Sequence, residues 1–389
     1  MHLLFPYLAR YKAVNWTRYH HLFDQLAAAG HRITVLQPPP AALVETNFQE
    51  IDVELPPGIE LADVPMPRWL WERRWPLEKL VRKGAYGLAC RRSVADVLAG
   101  DPPDALLVYN LPQAGLLGLA APGAPPPVRV FDLADDYEAM LRTELGALAL
   151  PPVLAAGRRT LHRMLDRADL RLAVSHTLAD AYPGRGIEVL PNGVDLRRFQ
   201  AVRRPLLDRA GQVPVVGYVG AFEYFIDFDL IIETARRLPE FRFRLVGAGR
   251  DFEAVREKAA GLANVELPGP VPFHDVPAEI AGFDYCLNLF VPLPISHGAC
   301  PMKLFEYLAM GKPVLSTDLA ELRRLGPDFL VPANDAEQAA AALRRLEADR
   351  EEAARRAAAG LRWVEERFDW ARLAARLVEL IEARAGRVA

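Results

Sequence analysis

The chain has 389 residues, enough for two domains at roughly 150 residues each, and its 51% hydrophobic and 25% charged side chains exclude a disordered polypeptide. With 47 basic against 50 acidic residues the net charge is -3, so the strongly basic face of a general nucleic-acid binder is missing. Three cysteines, Cys90, Cys286 and Cys300, are too few and too scattered for a disulfide framework or a zinc site.

Taken in chain order, the elements alternate. A strand is predicted over His2–Leu8, which has no basic n-region before Arg10 and so does not read as a secretory signal. Apolar residues at helical spacing over Trp16–Ala29 stop at Gly30, a C-capping residue. Strands follow at Ile33–Leu36, Ala105–Tyr109, Val128–Phe131, Leu170–Val174 and Ile187–Leu190, with helices around Val94 and Leu161. The uncharged stretch from Ala105 to Val128 holds five prolines with Asn110 and Gln113 and does not span a membrane; the chain is expected to be cytoplasmic. The pattern restarts with a strand at Val213–Val219, a helix over Asp229–Leu238 and a strand at Phe241–Val246. It continues with a helix over Phe252–Ala260 and strands at Val265–Leu267, Tyr285–Leu289 and Val314–Ser316. Such alternation means parallel sheets covered by helices. The expected architecture is α/β, with two doubly wound Rossmann-like domains facing an interdomain cleft, since ligands of open α/β sheets bind beyond the carboxyl ends of the strands. The expected boundaries are 1–190 and 191–368, with a final helix over 369–389 packing back toward the first domain.

The richest segment is P-M-K-L-F-E-Y-L-A-M-G-K-P-V, from Pro301 to Val314. Pro301 suits the first position of a helix, whose free amides attract anions, and Met302 and Lys303 follow in the first turn. Lys303 adds a full positive charge, an arrangement suited to a diphosphate. Glu306, three residues on and on the same face, has a carboxylate able to accept hydrogen bonds from both hydroxyls of a ribose. The plain alternative is a surface Lys/Glu pair.

This segment, with V-L-P-N-G-V-D (Val189 to Asp195), V-G-Y-V-G-A-F (Val216 to Phe222), L-V-G-A-G (Leu245 to Gly249) and R-F-D-W (Arg367 to Trp370), resembles the GT-B glycosyltransferases of the family 1/family 4 type. The resemblance implies transfer of a sugar from a nucleoside-diphosphate sugar, held by the C-terminal domain, to an acceptor held mainly by the N-terminal one. Glu306 matches the second glutamate of the family's E-x7-E motif, which holds the ribose; the first position is Gly298 here, and the Arg and Lys that usually follow the V-G strand are absent. The family also implies that Val271 and Phe273 lie in the loop that cradles the nucleobase. The P-x-K-L-F-E-Y variant resembles a subgroup that includes the glucuronosyltransferase of xanthan assembly and teichuronic-acid transferases. There it implies inverting chemistry with an N-domain aspartate as base.

F-D-L-A-D-D-Y offers Asp132, Asp135 and Asp136 for that base, Asp135 being favoured for its place in the loop beyond the strand; the competing role for Asp135 or Asp136 is to cap the next helix. Gly217, Gly220 and Phe222 stand at the donor turn, where the glycines serve close backbone approach or simply a tight turn. Asp227-Phe228-Asp229 mimics a metal-binding D-x-D but sits at a helix start, so no metal and no resident cofactor is expected. Between Arg68 and Arg92 eight basic residues face two acidic ones, and Trp69, Trp71 and Trp75 lie among them. Peripheral membrane contact, an acceptor platform and a locked irregular loop all fit that composition. The expected function is a hexosyltransferase-type enzyme using a UDP-sugar to build a cell-envelope polysaccharide or glycoconjugate, carbohydrate or lipid-linked. A nucleotide-sugar epimerase and a binding protein without catalysis are the alternatives.

Overall fold

The computed structural model describes residues 1–13, 16–39, 53–67, 78–123, 125–204, 212–326 and 328–388. The tryptophans and arginines of 68–77 lie outside the described residues. The chain divides into two compact units, Met1–Leu190 with Leu373–Ala389, and Pro191–Arg372.

The first unit carries a seven-stranded, all-parallel sheet: β1 (His2–Pro6), β2 (Arg32–Gln37), β3 (Ile59–Asp63), β4 (Ala105–Val108), β5 (Val128–Leu133), β6 (Leu170–Ala173) and β7 (Glu188–Val189), in the order β3-β2-β1-β4-β5-β6-β7. The strands are short apolar runs buried on both faces, as parallel sheets require; every residue of β1 and β4 is buried. β3 was not expected from sequence, because only Ile59 of its I-E-L-A-D is buried and it lies at the sheet edge.

The second unit repeats the plan with β8 (Val215–Val219), β9 (Arg242–Val246), β10 (Val265–Gly269), β11 (Tyr285–Asn288), β12 (Val314–Ser316) and β13 (Val331–Pro332), again all parallel, in the order β10-β9-β8-β11-β12-β13. This is the doubly wound order in which the chain reverses direction between the first and fourth strands. The crevice at that reversal, beyond the carboxyl ends of β8 and β11, is where such sheets bind ligands. In the first unit the corresponding reversal lies between β1 and β4.

The last helix, Trp370–Val388, begins in the second unit and runs on in the first. Leu373, Leu377, Leu380 and Ile381 are its buried face. Its start is fixed by backbone hydrogen bonds from Val194 to Phe368 and from Trp370 to Val194, 2.8 and 3.2 Å, which tie R-F-D-W to P-N-G-V-D.

Candidate donor site and candidate base

The donor candidates gather at the carboxyl ends of β8 and β11. The helix Met302–Ala309 starts there, with Pro301 as its extended N-cap, one position earlier than the sequence placed it. The amides of Met302 and Lys303 in its first turn have no acceptor within the helix, while that of Leu304 donates to the Pro301 carbonyl at 3.1 Å. Asn192 anchors the approach to that helix: its side-chain amide donates to the Cys300 carbonyl at 2.6 Å. Lys303 Nζ lies 5.3 Å from the Tyr218 ring and 5.2 Å from the Phe290 ring. A Cβ on Gly220 (φ +150°) would meet the Lys303 side chain at 3.0 Å, so glycine lets the turn after β8 pass beside the cation. Among the described residues Lys303 makes no hydrogen bond or ion pair. Burial lowers its pKa to about 8, and the Glu306 carboxylate limits the fall.

Glu306 sits one turn further along. Burial raises its carboxyl to about 7, opposed first by Arg198 and then by Lys303. Arg198, on the short helix Leu196–Gln200 capped by Asp195, lies flat on Phe273, 3.7 Å from the ring centroid, and donates to the Phe273 carbonyl. Phe273 is therefore a half-exposed ring under a guanidinium, and Val271 is half-buried beside it in the chain. Sequence reading passed over Arg198, although it stands just past P-N-G-V-D; two adjacent arginines gave no reason to prefer one.

The remaining motif residues hold this edge in shape. Tyr307 OH accepts from the Val219 amide at 2.9 Å and donates to the Val219 carbonyl, fixing the end of β8 from the Lys303 helix. Phe305 stacks on Phe368 at 4.6 Å. Phe222, expected at the donor, is instead fully buried against Tyr218, Phe228 and Phe252, and its amide is taken by the Ala248 carbonyl. A run of aromatic residues across a strand end closes as core. A Cβ on Gly247 (φ +145°) would stand 1.9 Å from the Gly220 carbonyl, and one on Gly217 2.0 Å from Phe283, so these glycines serve packing. Asp227 caps the helix Phe228–Arg237 through the Leu230 amide at 2.9 Å. Among the described residues no group of His, Cys, Asp and Glu is disposed to hold a metal ion.

The first unit separates the three aspartates. Asp132, on β5, is fully buried and ion-paired to Arg18 Nε at 3.0 Å, while Arg18 also donates to the Leu190 carbonyl. Desolvation still outweighs Arg18 and raises its pKa. Asp136 is the N-cap of the helix Tyr137–Leu145, accepting from the amides of Glu138 and Ala139 at 3.1 and 3.0 Å. Asp135, between them, is exposed and caps nothing. Desolvation first, then the carboxylate of Asp132, raises it to about 7 against the pull of Arg18. At the β1–β4 reversal the sequence also conceals a cluster of Phe5, Tyr7, Tyr19 and Tyr109, with ring centroids 4.8 to 6.4 Å apart. His20 joins it as a neutral ring: Nδ1 accepts from Thr17, Nε2 faces the Tyr11 carbonyl at 2.8 Å, and burial lowers the pKa to about 4.

Two Rossmann-like α/β units, each an all-parallel sheet wound about a central reversal, define the GT-B class. Both units match glycosyltransferase domain families: a "Glycosyl transferase 4-like domain" matches residues 16–193 and a "Glycosyl transferase-like" domain residues 229–379. It is 29% identical over 149 residues to TuaH of Bacillus subtilis, a protein named for teichuronic acid biosynthesis, a match that spans 37% of each chain. Identity is 27% over 257 residues to the GDP-mannose-dependent alpha-(1-6)-phosphatidylinositol monomannoside mannosyltransferase of Mycolicibacterium smegmatis, spanning 60% of this chain and 67% of that one. The fold is that of Anabaena HepE, solved in complex with UDP and glucose, with a TM-score of 0.66 over 98% of this chain and 99% of HepE at 16% identity.

Proposed function

We propose that this chain is a glycosyltransferase that takes a sugar from a nucleoside-diphosphate sugar and adds it to a cell-envelope polysaccharide or glycoconjugate. The observation that carries the reading is Lys303 at the reversal of the second sheet: a cation that makes no hydrogen bond or ion pair among the described residues, set against Gly220 and the two rings, with Glu306 one turn away. A diphosphate supplies the missing charge and gains charge-assisted hydrogen bonds. A ribose beyond it meets Glu306, and a base lies along the Val271–Phe273 loop, whose Phe273 ring Arg198 covers on one face. Arg198 then has two roles, to shield Phe273 and to favour the ionised form of Glu306. In the first unit Asp135 is the general base, being engaged in no cap and raised toward neutrality beside Asp132, whereas Asp136 is engaged as a cap and Asp132 is ion-paired to Arg18.

Uridine is the expected nucleoside, and the UDP complexes of HepE support it. A guanosine donor is the second reading, supported by the GDP-mannose-dependent relative. A thermal-shift panel of UDP, GDP, ADP and their sugars tests both, because a ligand at 100 times its Kd adds about 2.7 kcal/mol to stability. A shift with one diphosphate series identifies the donor class; no shift with any of them contradicts the reading. Product formation with a lipid-extract acceptor then separates transfer from donor epimerisation and from binding alone.

A further inference from the structure

The motif V-L-P-N-G-V-D, from Val189 to Asp195, contributes no side chain to the candidate donor groups or to the candidate base. Its last four residues, all in the second unit, hold three other elements instead. Val194 is pinned by backbone hydrogen bonds to Phe368 and Trp370, and Gly193 and Val194 are buried. Asp195 accepts from the Arg198 amide at 3.3 Å and so caps the short helix that lays Arg198 on Phe273. Asn192, half-buried, reaches the approach to the Lys303 helix. Its backbone N–H donates to Cys300 Sγ at 3.4 Å and its side-chain amide to the Cys300 carbonyl at 2.6 Å.

Those two bonds matter because the Lys303 helix does not fix its own start. A helix N-terminus is usually set by a Ser, Thr, Asp or Asn side chain that accepts from the first amides. Here the N-cap is Pro301, which has no side-chain acceptor and no N–H. Met302–Ala309 is also only eight residues long, and a helix of that length needs outside support. Ahead of the proline, Cys300 is 6% exposed and gives both its carbonyl and its thiol to Asn192. A residue 108 positions earlier in the chain thus sets the direction in which the helix begins.

That direction decides what the helix start can bind. Lys303 lies in the first turn beside Gly220 and makes no hydrogen bond or ion pair among the described residues. The Met302 and Lys303 amides have no acceptor within the helix. Hydrogen bonds weaken steeply with misalignment, so several donors serve one anion only where the backbone that carries them is held still.

We infer that Asn192 is a positioning residue for the donor: through Cys300 it sets the Lys303 helix so that the ammonium and the first-turn amides converge on the same phosphates. This role rests on the donor reading, to which it adds the side chain that preorganises the phosphate end. Asn192 itself touches no ligand. An aspartate would not serve at this position, because a carboxylate cannot donate to the Cys300 carbonyl.

The test is calorimetric titration of the parent, Asn192→Ala, Lys303→Ala and the double variant with UDP and uridine, or with GDP and guanosine where that pair shifts the melting temperature. Without the bond to Cys300 the competent helix start is only fractionally populated, and the apparent Kd rises by the inverse of that fraction. With one neutral hydrogen bond lost, the expected rise for the diphosphate is about three- to ten-fold, with nucleoside affinity unchanged. Because Asn192 acts through the phosphate contacts, its replacement in the Lys303→Ala background should cost less than about two-fold. Asn192→Ser, whose hydroxyl is too short to reach the carbonyl, should give the same ligand pattern and decides the matter if the alanine variant does not fold. Unchanged diphosphate affinity, equal losses for diphosphate and nucleoside, or full additivity with Lys303→Ala makes Asn192 a structural residue only and overturns the inference. If Lys303→Ala loses affinity and Asn192→Ala does not, the donor reading stands and the role of Asn192 is excluded. If Lys303→Ala binds the diphosphate like the parent, or neither diphosphate binds the parent, the donor reading fails and this role falls with it.

Discussion

Asp132, Asp135 and Asp136 share one sequence motif yet stand in three different environments. Replacing Asp132 by Asn leaves Arg18 buried without its partner, a loss of about 3–5 kcal/mol, so its expected signature is a lowered melting temperature. Asn caps helices about as well as Asp, and Asp136→Asn should leave both stability and turnover close to the parent. Asp135→Asn should keep donor affinity while transfer falls by roughly 10² to 10⁴. On the proposed reading Asp135 acts as base only when ionised, and with its carboxyl raised to about 7 the parent rate should rise with pH through that value and fall below it. A flat profile between pH 5 and 8, measured with saturating donor, would remove Asp135 as base. The same sign applies to Glu306: on the proposed reading its ionised form accepts the ribose hydroxyls, so discrimination of ribo- from 2'-deoxyribonucleotides should strengthen as pH rises through about 7 and vanish in Glu306→Gln. Arg198→Ala should displace that midpoint upward, since Arg198 favours the carboxylate, and an unmoved midpoint would detach Arg198 from the ribose reading.

Among the elements, the turns at the strand ends are the most constrained. Gly247→Ala would place a methyl group at 1.9 Å from the Gly220 carbonyl in a backbone region worth about 1–3 kcal/mol of strain for other residues; a melting temperature equal to the parent's would show that the two turns are not in contact. Most strands were legible because a parallel sheet buried on both faces demands continuous apolar runs, and Val314–Ser316 even matches to the residue. β3 and β13 escaped because edge strands need fewer apolar residues: β3 alternates charge with Ile59 and Leu61, and β13 is only Val331–Pro332. The helix behind Lys303 was legible from the proline and the Lys-x-x-Glu spacing. The burial of Phe222 was not, because a sequence does not tell whether an aromatic after a glycine turn points to a ligand or to the core. Arg18 was equally hidden, its partner Asp132 lying 114 positions away in the chain.

The whole molecule is two copies of one plan with different side chains at each reversal: that of the second sheet carries Lys303 and Glu306, and the first unit carries aromatic rings and an exposed aspartate. The helix Trp370–Val388 gives its buried face to the first unit after starting in the second. Removing Leu373–Ala389 should therefore lower the stability of the first unit, read by proteolysis within Met1–Leu190; protection equal to the parent's would exclude a structural role for that segment.

The central claim is that Lys303 receives a diphosphate, and calorimetric titration of the parent and Lys303→Ala with the nucleoside diphosphate that shifts the melting temperature, and with its free nucleoside, tests it most directly. The account predicts a diphosphate affinity lower in the variant by about ten- to hundred-fold, matching a charge-assisted contact of about 1.5–3 kcal/mol, with nucleoside affinity nearly unchanged. Equal losses for both ligands, or a variant that binds the diphosphate as tightly as the parent, would contradict it.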